Sequence, residues 1–207
     1  MASNAEGYMI AIIDYGMGNL RSVCKAFEAV GAQAQVTHKV EDILKADKVV
    51  LPGVGAMGPA MQKLQELALT GPIRKVVKDG KPFLGICLGL QLLFERSSEG
   101  GFSEGLKILE GSVERFTDLK VPHMGWNQVK AQPVGNQMFN NLSDNENLYF
   151  CHSYFIKPKD ASIVSGITNY GIDFVSAVVS KNIWGVQFHP EKSQRCGLQI
   201  LKNFAQL

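Results

Sequence analysis

The sequence has few cysteines and no close pair among them, which argues against cysteine-built scaffolds. The four cysteines, Cys24, Cys87, Cys151 and Cys196, are far apart along the chain, and no Cys-x-x-Cys pair occurs. A disulfide framework or a zinc site is therefore not expected, and this spacing is typical of a reducing compartment. We predict no metal and no other cofactor.

A targeting segment and a membrane span are also missing. No charged region precedes an apolar run near the start, where the first basic residue is Arg21, so no secretory signal is predicted. The longest apolar stretch, Phe83 to Phe94, is too short to cross a bilayer and is interrupted by glycines and Gln91. We expect a cytoplasmic protein, in which Met1–Gly7 is partly a cloning remnant or a disordered terminus and residues 8–207 form the domain.

The charge balance gives no sign of a nucleic-acid partner. The 207 residues include 21 basic and 19 acidic side chains, for a formal net charge of +2. No basic block stands out against the acidic residues, so we predict no nucleic-acid binding. With 45% hydrophobic residues, the chain can bury one good core, and a single domain is the default expectation.

The first half of the chain alternates strand-like and helix-like segments. Apolar runs predict strands, while capping and breaking residues predict the helices between them. The predicted strands are 8–14, 33–37, 48–51 and 82–86, and the predicted helices are 19–30 (capped by Asn19), 70–80 and 88–96. This order favours an α/β fold, an open and mostly parallel sheet flanked by helices.

The second half has a different character, with short β-prone runs separated by Gly, Asn, Asp and Pro. These runs are 106–116, 126–131, 148–156, 163–168, 174–179 and 183–188. We expect them to add antiparallel strands to the sheet. A final helix is predicted from about Gln194 to Ala205.

The strongest local signal is Gly85-Ile86-Cys87-Leu88-Gly89, which follows a predicted strand and opens a predicted helix. This is a Gly-x-nucleophile-x-Gly elbow with cysteine in place of serine. The tight turn requires small residues beside the nucleophile and lifts its side chain above the sheet edge. The start of the following helix favours a thiolate on Cys87. The simpler interpretation is a buried cysteine between two packing glycines.

A nucleophilic cysteine needs a base, and the base needs a group that orients it. The segment Gln187-Phe188-His189-Pro190-Glu191 supplies both. Pro190 disfavours helical geometry at His189, and residues two apart in an extended chain point the same way, so Glu191 can hold the imidazole. The alternative is a surface turn with a solvated His and Glu. His152 is a weaker candidate base, because it has no carboxylate at a comparable position.

A tetrahedral intermediate also needs an oxyanion hole, usually made by backbone N–H groups. The amide of Leu88, directly after the nucleophile, is one expected donor. A second can come from Pro52-Gly53-Val54-Gly55, although an ordinary strand-to-helix turn is the favoured interpretation of that segment taken alone. Gly16-Met17-Gly18 is only an incomplete phosphate-binding loop, because Arg21 stands at the last glycine position, so no nucleotide is predicted there.

The two catalytic motifs together resemble those of the class I (triad) glutamine amidotransferases, and the resemblance covers essentially the whole chain after Gly7. Three further segments are similar to those of the glutaminase subunits of imidazole glycerol phosphate synthases. They are Pro122-His123-Met124-Gly125-Trp126-Asn127, Glu191-Lys192-Ser193 and Asp14-Tyr15-Gly16-Met17-Gly18-Asn19.

The resemblance implies a flavodoxin-like glutamine amidotransferase fold and a role for each matching residue. Cys87 would attack the side-chain amide of glutamine, His189 would protonate the departing ammonia and then activate water, and Glu191 would orient His189. Glutamine would be held by Gly53, Gln91, His152, Ser153 and Tyr154. The Gly53–Val54 peptide would reorient so that the Val54 N–H completes the oxyanion hole beside Leu88.

The resemblance also implies a partner. Ammonia is mostly protonated near neutral pH and ammonium is not a nucleophile, so direct delivery is an advantage. The expected acceptor is a (β/α)₈-barrel cyclase subunit, in a heterodimer that makes imidazole glycerol phosphate and an aminoimidazole carboxamide ribonucleotide for histidine biosynthesis. Asn19, Trp126 and Asn127 are the expected interface residues. The alternatives are a glutaminase for another synthase (pyridoxal phosphate or anthranilate), a cysteine peptidase or thioesterase, and a non-catalytic binding protein.

Overall fold

A computed structural model describes residues 9–207, apart from the side chain of Asn136. The expectations for Met1–Gly7 and for Tyr8 lie outside the described residues. The strands are β1 (Met9–Ile13), β2 (Gln33–Thr37), β3 (Lys48–Gly53), β4 (Phe83–Cys87), β5 (Arg96–Ser97), β6 (Ser103–Glu104), β7 (Gly111–Arg115), β8 (His123–Ala131), β9 (Glu146–His152), β10 (Tyr154–Pro158), β11 (Val164–Tyr170), β12 (Ile172–Ser180) and β13 (Ile183–Val186). The helices are α1 (Leu20–Ala29), α2 (Val40–Lys45), α3 (Met57–Glu66), α4 (Thr70–Lys78), α5 (Leu88–Gln91) and α6 (Gln194–Ala205), and 3₁₀ turns span Asn136–Phe139, Ala161–Ile163 and Pro190–Lys192.

Five parallel strands form the central part of the sheet, in the order β2-β1-β3-β4-β13. Side chains alternate between the two faces of each strand, so β1 places Ile10 and Ile12 in one buried cluster and Ala11 and Ile13 in the other. Helices α1 and α6 cover the first face, and α3 and α4 cover the second. The predicted α/β sheet flanked by helices is therefore confirmed.

Helix α6 shows how sequence spacing builds one of these layers. Its buried residues include Gly197, Ile200, Leu201 and Phe204, which recur at the three- and four-residue spacing of one helical face. The Phe204 ring lies 5.9 Å from Trp184 of β13 and 6.2 Å from Phe27 of α1. The predicted bounds of this helix, Gln194 to Ala205, are confirmed.

The antiparallel part continues from β13 through β12, which pairs with both β10 and β11. Strand β10 leads on to β7, whereas β11 leads to β8 and then β9. The predicted antiparallel additions are thus confirmed. The predicted single strand 148–156 is wrong, because the chain changes partners at Ser153, from β8 before it to β7 and β12 after it.

Two predicted bounds around the nucleophile are also wrong, for one shared reason. The helix predicted over 88–96 ends at Gln91, and the strand predicted over 106–116 begins only at Gly111. The carbonyls of residues 92–94 accept hydrogen bonds from the amides of residues 106–109, so neither segment can complete its regular pattern. Helices α2 and α3 were not predicted from the sequence. Among residues 9–207, no helix combines the length and apolar character that crossing a membrane requires.

Candidate active site

Cys87 lies at the turn between β4 and α5, where the backbone takes an unusual conformation. Its φ is 54° and its ψ is −109°, a strained geometry that typifies a nucleophile elbow. A β-carbon at Gly89 would overlap the Leu51 carbonyl, and one at Gly85 would lie 2.9 Å from Leu90 backbone atoms. The two glycines are therefore needed for the helix start to approach the sheet this closely.

His189 and Glu191 follow the end of β13, the strand next to β4. His189 is extended (φ −102°, ψ 96°), as Pro190 predicts, and its Nδ1 lies 2.9 Å from Oε1 of Glu191. The two side chains are only 4% and 1% exposed, so the ion pair is shielded from water. The Ser193 hydroxyl donates to the His189 carbonyl at 2.6 Å and fixes the turn.

The electrostatics of His189 link it to Cys87. Burial alone would lower the pKa of the imidazole, but hydrogen bonding and charge interaction with the Cys87 sulfur and the Glu191 carboxylate raise the pKa to about 10. The imidazole is therefore protonated near neutral pH and lies within reach of the sulfur. The structure brings the Cys87 sulfur, the His189 imidazolium and the Glu191 carboxylate together.

His152, the competing candidate base, uses both of its ring nitrogens in hydrogen bonds to other groups. Its Nδ1 lies 2.8 Å from the Tyr154 carbonyl and its Nε2 lies 3.0 Å from Nδ1 of His123. Burial lowers the pKa of His152 to about 3, so the ring is neutral. With both nitrogens in hydrogen bonds, His152 has none left to accept a proton from Cys87.

A cavity of about 230 Å³ opens over the nucleophile. Its lining residues are Val54, Gly55, Cys87, Leu88, Gln91, Glu99, Pro122, Cys151, His152, Ser153, Tyr154, His189 and Lys192. This set contains most of the residues expected to bind glutamine or its oxyanion. Gly53 lies beside Cys87 in the register of β3 and β4, and Glu191 lies behind His189.

The turn after β3 has little freedom at its glycines. A β-carbon at Gly53 would meet the Tyr15 hydroxyl, and Gly55 has a φ of 96°, which favours glycine. Between them, Val54 is 42% exposed and lines the cavity. The expected second oxyanion donor therefore lies on a glycine-bracketed turn facing the nucleophile.

Two residues of the site were missed in the sequence. Gln187 is fully buried, and its Nε2 donates to the Cys87 sulfur at 3.6 Å. Its position two residues before His189, on the same side of an extended chain, was an available signal. Glu99 lines the cavity and accepts from the Met57 amide at 2.9 Å, but no motif surrounds it.

The expected interface residues differ in how they are placed. Trp126 is 49% exposed on β8, beside Met124 at 61%. Asn127 instead turns inward, where its amide contacts the Asn169 carbonyl and His123. Asn19 stands at the start of α1, but it does not cap the helix backbone as expected, because its side chain accepts from the Ser22 hydroxyl at 2.8 Å.

Known proteins resemble this chain in both sequence and fold. The family model described as glutamine amidotransferase class-I matches residues 11–207. The imidazole glycerol phosphate synthase subunit HisH of Geobacter metallireducens is 52% identical, over 95% of this chain and 97% of that protein. The HisH subunit of Acinetobacter baylyi is 47% identical, over 95% of this chain and 97% of that protein.

Solved structures agree in fold at lower sequence identity. A glutamine amidotransferase crystal structure superposes with a TM-score of 0.75 at 18% identity, covering 95% of this chain and 99% of that chain. The PurLQS structure from Thermotoga maritima gives a TM-score of 0.71 at 18% identity, covering 97% and 96%. The chain belongs to the class I glutamine amidotransferases and, within them, to the family of the HisH subunits of imidazole glycerol phosphate synthase.

Proposed function

We propose that this chain is the glutaminase subunit of an imidazole glycerol phosphate synthase, and that it releases ammonia from glutamine. The observation that carries the proposal is the buried Cys87–His189–Glu191 constellation, in which Cys87 and His189 line a cavity and Glu191 lies behind His189. At about 230 Å³, this cavity is smaller than the roughly 300–1,000 Å³ typical of drug-sized ligands, and it suits a single amino acid.

In the proposed reaction, the Cys87 sulfur attacks the side-chain amide carbon of glutamine. The Leu88 and Val54 N–H groups stabilise the oxyanion of the tetrahedral intermediate. The His189 imidazolium then protonates the leaving nitrogen, the C–N bond breaks, and ammonia departs from a glutamyl thioester. Neutral His189 next takes a proton from water, whose oxygen attacks the thioester carbonyl. The C–S bond then breaks, its electron pair returns to the Cys87 sulfur beside the reprotonated His189, and glutamate is released. Glu191 holds the imidazole throughout and stabilises its charged form.

Substrate recognition follows from the walls of the cavity. Ser153, Tyr154, His152 and Gln91 all line this cavity. Glu99 supplies a carboxylate that can pair with the α-ammonium of glutamine. We assign these five residues to binding, because each lines the cavity that Cys87 and His189 share.

The partner we propose is a cyclase subunit of (β/α)₈-barrel form that receives the ammonia in a heterodimer. The relatives are named as subunits of a synthase, and exposed Trp126 and Met124 offer an apolar surface on β8 for such a chain. Asn19 remains part of the proposed interface, with Asn127 acting from behind the strand. Because the nucleophile must stay a reduced thiol, we place the reaction in the cytoplasm.

The proposal is tested by measuring glutamate release by this chain, with and without the cyclase subunit and its nucleotide substrate. We expect turnover that rises in the complex and falls at least about 10⁴-fold in Cys87→Ala, since that variant lacks the nucleophile. Cys24→Ala, at a cysteine outside the cavity, is the matched control and keeps wild-type turnover. A Cys87→Ala complex that still releases glutamate at the wild-type rate would overturn the proposal.

A further inference from the structure

A chain of hydrogen bonds joins strand β8 to the glutamine cavity. The Asn127 amide nitrogen lies 2.8 Å from the Asn169 carbonyl and 3.1 Å from Nε2 of His123. Nδ1 of His123 lies 3.0 Å from Nε2 of His152. Nδ1 of His152 lies 2.8 Å from the Tyr154 carbonyl, beside the cavity.

The direction of this chain is fixed from both ends. The Asn169 carbonyl can only accept and the Gln128 N–H can only donate, so the Asn127 side chain must present its NH₂ to the first and its oxygen to the second. Its second N–H therefore donates to Nε2 of His123. At the other end, the Tyr154 carbonyl requires a donor on Nδ1 of His152.

Only one pair of tautomers satisfies both ends. His123 accepts at Nε2, so its proton is on Nδ1 and is donated to Nε2 of His152. His152 in turn carries its proton on Nδ1 and donates it to the Tyr154 carbonyl. A change of tautomer at either ring would set two donors or two acceptors against each other.

The surroundings of the two rings keep them in this arrangement. His123 is 4% exposed and stacks between Phe150 and Tyr170, with ring centroids 4.9 Å and 4.1 Å away. His152 is 6% exposed and packs against Phe116 and Phe174. Buried polar groups that are fully paired hold a single geometry, because breaking one pair leaves a costly unpaired atom.

The chain reaches the nucleophile through a shared carbonyl. The Tyr154 carbonyl also accepts from Nε2 of Gln91 at 2.9 Å. The same Gln91 nitrogen donates to Oε1 of Gln187 at 3.1 Å, and Nε2 of Gln187 donates to the Cys87 sulfur at 3.6 Å. The position of the Tyr154 carbonyl therefore helps to set the position of the Gln91 side chain and, through Gln187, that of the Cys87 sulfur.

The start of the chain lies directly behind the exposed face of β8. Successive residues of a strand point to opposite faces, so Met124 and Trp126 face outward while His123 and Asn127 face inward. A partner protein bound to Met124 and Trp126 would thus contact the strand that carries Asn127 and His123, the first two residues of the hydrogen-bond chain.

We propose that His123 and Asn127 are positioning residues for the glutaminase reaction, joining the outward face of β8 to the cavity. They hold His152 as the Nδ1–H tautomer, which fixes the Tyr154 carbonyl and, through it, Gln91 and the Cys87 sulfur. The kinetic part of this inference rests on the proposed function, whereas the tautomers can be measured without any activity.

The kinetic test compares two amides at position 123 in the complete complex. His123→Asn places its amide where Nδ1 stands and keeps a donor for His152, whereas His123→Gln places its amide where Nε2 stands and loses that donor. Both variants lose the stacked ring, so packing is matched. We expect kcat/KM for glutamine to fall about tenfold or more in His123→Gln. In His123→Asn we expect it to stay within about threefold of the wild-type value. Equal losses in the two variants would overturn the inference.

The spectroscopic test uses the wild-type chain labelled with ¹⁵N at histidine. Long-range ¹H–¹⁵N spectra at neutral pH distinguish the tautomers, and we expect both His123 and His152 to carry the proton on Nδ1. An Nε2–H tautomer at either ring contradicts the inference even if both variants fail to fold. If the wild-type complex does not turn over glutamine, or if Cys87→Ala still does, the proposed function is wrong. Failure of the proposed function and failure of this inference therefore give different results.

Discussion

The parallel and antiparallel parts of the sheet contribute different things to one site. Three neighbouring parallel strands, β3, β4 and β13, end respectively at Gly53, at Cys87 and just before His189. Strands β8, β9 and β10 supply His152, Tyr154 and the exposed Trp126. The groups that we propose to break the amide bond thus stand at the carboxyl edge of a sheet with helices on both faces, the usual ligand site of such sheets. We propose that the antiparallel part contributes His152, Ser153 and Tyr154 to recognition and provides the coupling to the partner.

The largest effect is expected at Glu191, on the parallel side. If its charge can be removed without loss of glutaminase turnover, the contrast between the two parts of the sheet is wrong. Glu191→Gln keeps the shape but not the charge that stabilises the His189 imidazolium. We expect kcat of the complex to fall on the order of 10²–10⁴-fold, as for loss of a general acid–base group. Steady-state glutamate release measures it, with exposed Glu110→Gln as the control. A loss smaller than about threefold would show that Glu191 is only a structural partner.

The antiparallel side is probed by truncating its exposed aromatic residue. Trp126→Ala removes a large apolar contact from the outward face of β8, so the dissociation constant for the cyclase subunit should rise about 10- to 100-fold. Ile172→Ala, at a residue 44% exposed on β12, is the matched control. Calorimetric titration of the two chains measures both constants. If the two variants bind the cyclase subunit with equal affinity, the outward face of β8 is not part of the interface.

The paired histidines of the antiparallel part predict a pH dependence of stability. Burial lowers the pKa of His123 to about 4 and that of His152 to about 3, from an ordinary value of 6.5. Between about pH 6.5 and pH 4 the unfolded chain binds more protons than the folded chain, so the free energy of unfolding falls as the pH falls. Urea unfolding at several pH values in this range measures the free energy of unfolding. Its slope against pH should be shallower for His123→Phe than for wild type. Identical slopes would mean that His123 is solvated in the folded state.

The smallest effect concerns Tyr15, under the turn that follows β3. Its hydroxyl is buried and has no hydrogen-bond partner among the described residues. Tyr15→Phe removes that unpaired group, so we expect the free energy of unfolding to rise by about 1 kcal/mol. Tyr170→Phe is the matched contrast, because its hydroxyl donates to the Lys120 carbonyl at 2.8 Å and its loss should lower stability by a similar amount, about 1 kcal/mol. A fall in stability for both variants would mean that the Tyr15 hydroxyl has a partner.

Local patterns in the sequence were sufficient for the features that depend on near neighbours. The elbow at Cys87 needs only small residues beside the nucleophile, and α6 needs only its apolar spacing and its ends. The helix after Cys87 was predicted too long because residues 92–94 bond to residues 106–109, and no local pattern records that pairing. Helix α3 was missed although its buried Met57, Ala60, Met61 and Leu64 carry helical spacing.

The same distinction applies within the site. His189 and Glu191 are two residues apart, so their contact follows from an extended backbone. Gln187 and Cys87 are separated by 100 residues, and their contact depends on β13 lying beside β4. Asn127 was expected at an interface from a motif alone, whereas the alternation along β8 turns its side chain toward His123.

The central claim is that the Cys87 sulfur is the nucleophile, and trapping its intermediate tests this most directly. The complex with its cyclase subunit is acid-quenched during glutamine turnover, digested and mapped by mass spectrometry. The account predicts a glutamyl thioester on the peptide that contains Cys87. A glutamyl adduct on Cys24, Cys151 or Cys196 instead, with Cys87 unmodified while glutamate accumulates, would contradict it.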